Sequence, residues 1–240
     1  MKIDVAFLPR DIQDIDIRDT VCIVLDIFRA TTSMVAALSN NCARIVPALS
    51  VEEAHKLAAN RGRVLFAGER QSIKIDGFHF GNSPYEFSVD KVAGQTIIMT
   101  TTNGTVAVKA TEGAQHTLIG AFVNASAVCR KAEQYHKDVL IICAGTDRLF
   151  SLEDALCAGL MVKKLLCSDG QLGPVLTDSA QAAMLLYENA QDRLAEVAIN
   201  SRNGKRLQDI GRADDVEYCF RTDLFAGVPE YRDGAIALFD

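Results

Sequence analysis

The chain has 240 residues, of which 49% are hydrophobic and 23% charged, with no Trp. That composition is the one expected of a water-soluble globular protein with ample material for a core, and it excludes disordered and collagen-like chains. Twenty-five Lys and Arg against 31 Asp and Glu give a net charge of −6 with no long basic run to offset it, which excludes a general nucleic-acid footprint. No apolar stretch is long enough to cross a bilayer, and Asp4 stands where a signal peptide would be apolar, so a cytoplasmic protein without membrane contact is expected. Seven cysteines without a Cys-x-x-Cys pair read as buried reduced thiols, not a disulfide frame or a zinc site. No low-complexity linker or Pro-rich hinge divides the chain, so residues 1–240 are expected to form one domain.

Taken in order, Val21-Cys22-Ile23-Val24-Leu25 is a continuous apolar strand of the kind buried on both faces. It ends at Asp26, and Ile27-Phe28-Arg29-Ala30-Thr31-Thr32 leads into a helical stretch at Met34–Leu38. Ser50 with Glu53 has capping-box spacing, which predicts a helix over 51–60, followed by a strand at Arg63–Ala67 that ends in Gly68-Glu69-Arg70. Residues 71–90 lack periodicity and read as a long ordered loop, a class that is often functional. Strands are predicted at Thr96–Thr100, Thr117–Ala121 and Val139–Cys143, each running into small polar residues and then a helical pattern. Long helices are predicted over 152–167 and about 178–200, the second carrying Ala180, Ala183, Met184 and Tyr187 as a core stripe. Gly204 and the charged run Arg202–Arg206 interrupt the tail, which ends in a short helix near 214–221 and a strand near 235–239. Alternating strands and helices predict an α/β fold.

In an open parallel sheet ligands bind beyond the carboxyl ends of the strands, where helix N-termini offer free N–H groups to anions. Asp26 with Arg29, Glu69 with Arg70, Thr101-Thr102-Asn103-Gly104-Thr105, Asn124 and Thr146 all follow strands in this way. Taken singly, Thr, Asn and Gly serve equally well as helix caps. Arginine presents a planar fork to phosphate, carboxylate or sulfonate, whereas Asp26 and Glu69 would repel an anion unless a cation stood between them. Oxygen ligands without His or Cys favour Mg²⁺, the alternative being that both acids pair with the neighbouring arginines. Ser151 and Asp154 fit a loose capping box, which leaves Glu153 unexplained and makes Glu153 or Asp154 a further candidate ligand.

Other phosphate chemistries lack their motifs. Neither the Walker loop nor the dinucleotide Gly-x-Gly-x-x-Gly is present. Cys143 and Arg148 are one residue too close for the phosphate loop of a thiolate phosphatase, so Cys143 reads as a buried strand end. Of the four scattered histidines only His79, in the 71–90 loop, is a candidate for a site, against a surface position.

Leu25–Thr32, Gly68-Glu69-Arg70, Gly77-Phe78 with Gly81-Asn82-Ser83-Pro84, Thr100–Thr105, Cys143–Thr146 and Phe150–Asp154 together resemble the 2-phosphosulfolactate phosphatases. Ser201–Gly204, Asp214-Asp215, Cys219 and Val228-Pro229 resemble the family's C-terminal region, and Asp147-Arg148-Leu149 departs from it where a glycine and smaller residues are expected. The resemblance implies a three-layer α/β/α sandwich with a largely parallel or mixed central sheet. It also implies a Mg²⁺-dependent phosphoric monoester hydrolase that converts 2-phospho-3-sulfolactate to 3-sulfolactate and phosphate, a step toward coenzyme M. On the combined reading Asp26, Arg29, Glu69 and Arg70 are the catalytic candidates. Thr31, Thr32, Asn82, Ser83, Thr101, Thr102, Asn103, Gly104, Thr105, Asn124 and Thr146 are candidates for substrate binding, and Asp26, Glu69, Glu153 and Asp154 for Mg²⁺. Asp26 ends a buried strand as does the nucleophile of haloacid-dehalogenase-type phosphatases, but Phe28 stands where those carry a second Asp; metal-activated water is the alternative. The expected partner is a small anionic phosphorylated substrate, and a homo-oligomer is compatible with the sequence. Two alternatives stay open: a phosphatase for another small phosphorylated acid, and a non-catalytic anion-binding protein.

Overall fold

Continuous burial along the apolar runs, on both faces of the strands, sets the architecture of this computed structural model, which describes residues 1–59, 61–167 and 173–239. The strands are β1 (Lys2–Ala6), β2 (Thr20–Leu25), β3 (Arg44–Pro47), β4 (Leu65–Arg70), β5 (Ile73–Lys74), β6 (Thr96–Thr100), β7 (His116–Gly120), β8 (Asp138–Cys143), β9 (Val175–Leu176), β10 (Pro229–Arg232) and β11 (Ala235–Leu238). The helices are α1 (Ala30–Ser39), α2 (Val51–Ala59), α3 (Val89–Val92), α4 (Gly104–Ala110), α5 (Ala125–Gln134), α6 (Leu152–Leu166), α7 (Asp178–Ala190), α8 (Leu194–Ile199), α9 (Arg202–Asp209) and α10 (Ala213–Cys219). Residue 60, the expected end of α2, lies outside the described residues.

Side chains alternate across a strand, so one strand can feed two cores. Val21, Ile23 and Leu25 of β2 join Met34, Val35, Val128, Leu156 and Leu160 from α1, α5 and α6. Cys22 turns the other way, to Ile12, Leu140, Ile142 and Ala110. Ile98 of β6 likewise meets Val46 and Ala54, while Ile97 and Met99 face the large core. Helices therefore cover both faces of the sheet, the expected α/β layering. Among the described residues no helix is long and apolar enough to cross a membrane.

Among the described residues the strand order is β5-β4-β6-β3-β11-β10-β7-β2-β8-β1-β9. It contains two parallel blocks, β4-β6-β3 and β7-β2-β8-β1-β9. The last hairpin, β10–β11, bridges them by antiparallel pairing of Glu230 with Leu118 and of Ile236 with Ile45. Three antiparallel steps separate the blocks, so by pairing their strands run in opposite senses, and the sheet is mixed.

Several elements differ from the sequence expectation. β1 precedes the run at Val21, and β3, β5, β9 and β10 are too short to stand out as apolar runs. The helix expected over 178–200 breaks at the 3₁₀ turn Gln191–Arg193. Ala190, Leu194 and Ala198 stay in helical phase across the break, and the turn consists of three exposed polar residues, so periodicity does not reveal it. The run at 202–206 does not interrupt the tail but forms α9, whose first turn is capped by the Ser201 hydroxyl accepting from the Gly204 N–H at 3.0 Å.

Gly204 is required by packing, because a Cβ there would lie 2.1 Å from the Ala198 carbonyl oxygen of α8. Gly204→Ala gains up to about 1 kcal/mol of helix propensity, but must move one backbone against another, an overpacking cost of about 1–3 kcal/mol. The variant should unfold at lower denaturant than wild type. A wild-type midpoint would show that the contact relaxes freely.

Candidate active site

A narrow cleft forms where the carboxyl ends of strands from both parallel blocks meet. It is lined by Asp26, Phe28, Arg29, Glu69, Ser72, Asn82, Asn103, Thr146, Asn203 and Arg206. Asp26 follows β2, Thr146 follows β8, Glu69 belongs to β4 and Asn103 follows β6. The loop after β4 adds Ser72 and Asn82, and α9 adds Asn203 and Arg206.

Asp26 is buried where the chain leaves β2 for α1. Its carboxylate accepts one long bond, 3.4 Å from the Ala30 N–H, while its backbone is pinned by Thr31, whose Oγ1 accepts from Asp26 N–H at 2.9 Å. Gly104 approaches so closely that a Cβ would sit 2.7 Å from Asp26 Oδ2, which is why the turn after β6 has glycine there. Burial, reinforced by the charges of Glu69 and Glu153, pushes the Asp26 carboxyl up to about 7.

The other acids are already bonded. Glu69 accepts the N–H of Ser72 at 2.7 Å and of Thr102 at 2.8 Å, one on each oxygen. Asp154 accepts the N–H of Ile27 at 2.8 Å and of Gly145 at 3.1 Å, tying together the turns after β2 and β8. Burial, with the nearby Asp26 and Glu153 charges, holds its carboxyl well above the usual carboxylate range. Glu153, also buried, accepts from Asn203 Nδ2 at 3.3 Å.

The two expected arginines have different surroundings. Arg29 lines the cleft, its guanidinium donating to Asp215 Oδ2 at 2.6 Å and to the Ser72 carbonyl at 2.7 Å. Asp215 also accepts the Ser83 hydroxyl at 2.6 Å, so Arg29 and Asp215 form a buried, hydrogen-bonded ion pair. Arg70 does not line the cleft, since its guanidinium donates to the Glu69 and Thr100 carbonyls and to Thr100 Oγ1. Neither arginine makes an ion pair with Asp26 or Glu69; the cleft's second guanidinium belongs to Arg206, paired with Asp147 at 2.8 Å.

Several candidate substrate-binding side chains are engaged by the fold. Thr32 donates to the Ile27 carbonyl, and Thr101 and Thr105 bond to each other across the start of α4. Asn124 accepts from Ala121 N–H and donates to the Ile119 and Gly227 carbonyls, so it is a structural cap away from the cleft. His79 accepts from Phe66 N–H through Nδ1 and does not line the cleft. Asn82 and Thr146 line it, and Asn82 Oδ1 is buried without a hydrogen-bond partner.

That orphan oxygen bears on the expected cation. Among the described residues no three His, Cys, Asp or Glu side chains make a ready metal cage. Mg²⁺ needs only one or two carboxylates, with substrate and water oxygens completing its shell. Asp26, the least satisfied acid, and the unpartnered Asn82 Oδ1 supply oxygens of that kind, and Glu153, whose charge acts on Asp26, is tied to the cleft residue Asn203. Glu69 and Asp154 have an N–H on each oxygen and are better described as loop anchors.

Sequence reasoning assigned no role to Ser72, Asn203, Arg206 or Asp215. Ser72 lies in a hairpin turn, and the others lie in the tail, where no strand end points to them. The only signal for the tail was its likeness to a family pattern.

Comparison with known proteins gives one answer. Residues 6–234 match the family model described as 2-phosphosulpholactate phosphatase. A "Probable 2-phosphosulfolactate phosphatase" of Clostridium acetobutylicum is 39% identical over 237 residues, covering 98% of this chain and 100% of that protein. One of Caldanaerobacter subterraneus subsp. tengcongensis is 37% identical over 228 residues, covering 94% of this chain and 93% of that protein.

The raised Asp26 carboxyl sets a pH dependence of stability. Below pH 3.8 the folded and unfolded chains both carry this proton; between 3.8 and about 7 only the folded chain does, so its contribution to stability falls as pH rises through that window. In chelator, Asp26→Asn should therefore unfold at higher denaturant than wild type at pH 8, and the difference should shrink toward pH 4. A variant less stable than wild type at pH 8 would mean that the Asp26 charge is compensated.

Proposed function

Because the chain belongs to the 2-phosphosulpholactate phosphatase family, we propose that it is a Mg²⁺-dependent phosphatase releasing 3-sulfolactate and phosphate from 2-phospho-3-sulfolactate. The observation that supports this most directly is the cleft itself, where an unsatisfied carboxylate, an orphan amide oxygen and two guanidinium groups face one small space. Asp26, Glu153 and Asn82 Oδ1 would hold Mg²⁺, which when bound neutralises charge on the phosphoryl oxygens. Arg29, fixed by Asp215, presents a second positive charge, and the phosphoryl group is oriented between them.

The attacking group on this reading is water. Phe28, in the position where a second aspartate would serve a phosphoaspartate route, packs edge-on against Phe220 at 5.6 Å and has no proton to give. One oxygen of Asp26 would hold the metal, and the other takes the proton of that water and passes it to the substrate's C2 oxygen as its bond to phosphorus breaks, giving phosphate and a hydroxyl. A thiolate has no part, because Cys143 is fully buried and burial holds its thiol well above the usual range.

Hydrolysis of 2-phospho-3-sulfolactate should require Mg²⁺ and stop in EDTA, and Asp26→Asn should lower kcat/KM by about 10²- to 10⁴-fold, the usual contribution of a positioned acid or base. Undiminished turnover in EDTA, or release of no phosphate from any phosphomonoester, would overturn the proposal. Iodoacetamide should leave activity intact and label Cys167, the one exposed cysteine among the described residues. Inactivation that tracks alkylation of Cys143 would point to thiolate chemistry.

A further inference from the structure

Arg206 is the cleft guanidinium with the more exchangeable partner. Arg29 is locked, its ion pair with Asp215 being 3% and 2% exposed. The Arg206–Asp147 pair, at 2.8 Å, is 33% and 46% exposed, so it is solvated and weak. Asp147 sits on an unusual support. It and Arg148 are the two central residues of a tight turn closed by Thr146 and Leu149, with φ of 54° and 62°. That is type I′ geometry, which favours Asn-Gly and costs other residues backbone energy.

The turn is held from several sides. Asp147 N–H donates to Asn103 Oδ1 at 3.3 Å, and Arg202 donates to the Thr146 and Phe150 carbonyls at 2.9 and 3.3 Å. These contacts fix an acidic side chain on the more exposed of the cleft's two guanidinium groups. A surface carboxylate needs no such placement to stay solvated.

Resting on the phosphatase reading above, we infer that Arg206 binds the second anionic group of the substrate, carboxylate or sulfonate, and that Asp147 is its internal stand-in, occupying the guanidinium until substrate displaces it. The planar fork of Arg206 accepts either group in the same two-bond manner. Asp147 therefore raises the threshold for anions: a phosphomonoester with no second acid group gains nothing by displacing it, whereas a phosphorylated acid replaces Asp147 with its own carboxylate or sulfonate. Selectivity for acids carrying an extra charge is thereby set by an ion pair outside the phosphate's own contacts.

The test is binding of product-like anions in the presence of Mg²⁺, measured by calorimetry with 3-sulfolactate, isethionate (sulfonate only) and lactate (carboxylate only). Wild type, Asp147→Asn and Arg206→Gln are compared, with unfolding midpoints taken for each; asparagine tolerates positive φ and keeps the turn. Asp147→Asn should bind 3-sulfolactate about three- to fivefold more tightly, the value of one exposed ion pair. Arg206→Gln should bind it about 10- to 100-fold more weakly, the range for a charge-assisted bond, and should lose selectivity for whichever single-anion probe carries the group that Arg206 holds. Asp147→Asn combined with Arg206→Gln should match Arg206→Gln alone, since the stand-in has no role without its partner. Unchanged affinity in Asp147→Asn, equal weakening for all three probes in Arg206→Gln, or no 3-sulfolactate binding to any of the proteins overturns the inference. Failure of the parent reading looks different: the affinity order would hold while no phosphomonoester is hydrolysed. Hydrolysis with the affinity order absent removes this inference and leaves the phosphatase.

Discussion

A carboxylate taken out of water must be hydrogen-bonded, paired or protonated, and the cleft end of this protein is organised round four buried carboxylates that feel one another's charge. Asp26, Glu69, Glu153 and Asp154 are each less than a tenth exposed. Asp154 spans the turns after β2 and β8, and Glu69 spans those after β4 and β6, each by accepting two backbone N–H groups. The acids thus fix the loops of one block to each other, and those of the other block likewise. Asp26 is left with a single long bond and, unlike Glu69 and Asp154, ties no two loops together.

The tail connects the two blocks twice. Its last hairpin, β10–β11, bridges them within the sheet through one residue pair on each side. The helices before it close the site: Asn203 donates to Glu153 and to the Phe28 carbonyl, and Asp215 takes the Arg29 charge. Breaking a buried pair such as Arg29–Asp215 typically costs about 3–5 kcal/mol, because the remaining charge is stranded. The tail is therefore needed for the cleft to be electrostatically tolerable, and a chain ending after α7 would leave Arg29 and Glu153 without these partners.

Much of this was legible from residue order, for reasons that can be named. β2, β6 and β8 are apolar runs long enough to be read directly, and Asp26, Glu69, Asn103 and Thr146 follow strands, so a rule about strand ends found them. That rule assumes a single parallel edge, whereas the cleft draws residues from two blocks whose pairing runs in opposite senses. The same rule also gathered Asn124 and Arg70, which the fold uses as a cap and a strand-end clamp; residue type alone does not separate a cap from a ligand. Gln71-Ser72 was invisible as a tight turn because it contains no glycine, while Asp147-Arg148 stood out only as a turn that lacks the expected glycine; all four residues have positive φ. The tail contributions lay beyond reach for a different reason, being set by helix packing over more than 170 residues of separation, as between Asn203 and Phe28.

Those two glycine-free turns share a location that composition does not explain. Gln71-Ser72 links β4 to β5 and holds Ser72 where its N–H meets Glu69 and its carbonyl meets Arg29. Asp147-Arg148 places a carboxylate on Arg206. A left-handed residue other than glycine costs about 1–3 kcal/mol when nothing offsets it, so strained turns survive where the surroundings over-determine them. Here the surroundings are the charges of the cleft, which need a donor and an acceptor at Ser72 and an acid at Asp147. In an acidic chain positive charge is scarce, and each cleft guanidinium is held in place by a group of opposite charge. Arg29 is held permanently, by a partner buried with it. Arg206 is held by a partner in water on a turn that carries backbone strain, so of the two it is the one whose partner an incoming anion can replace.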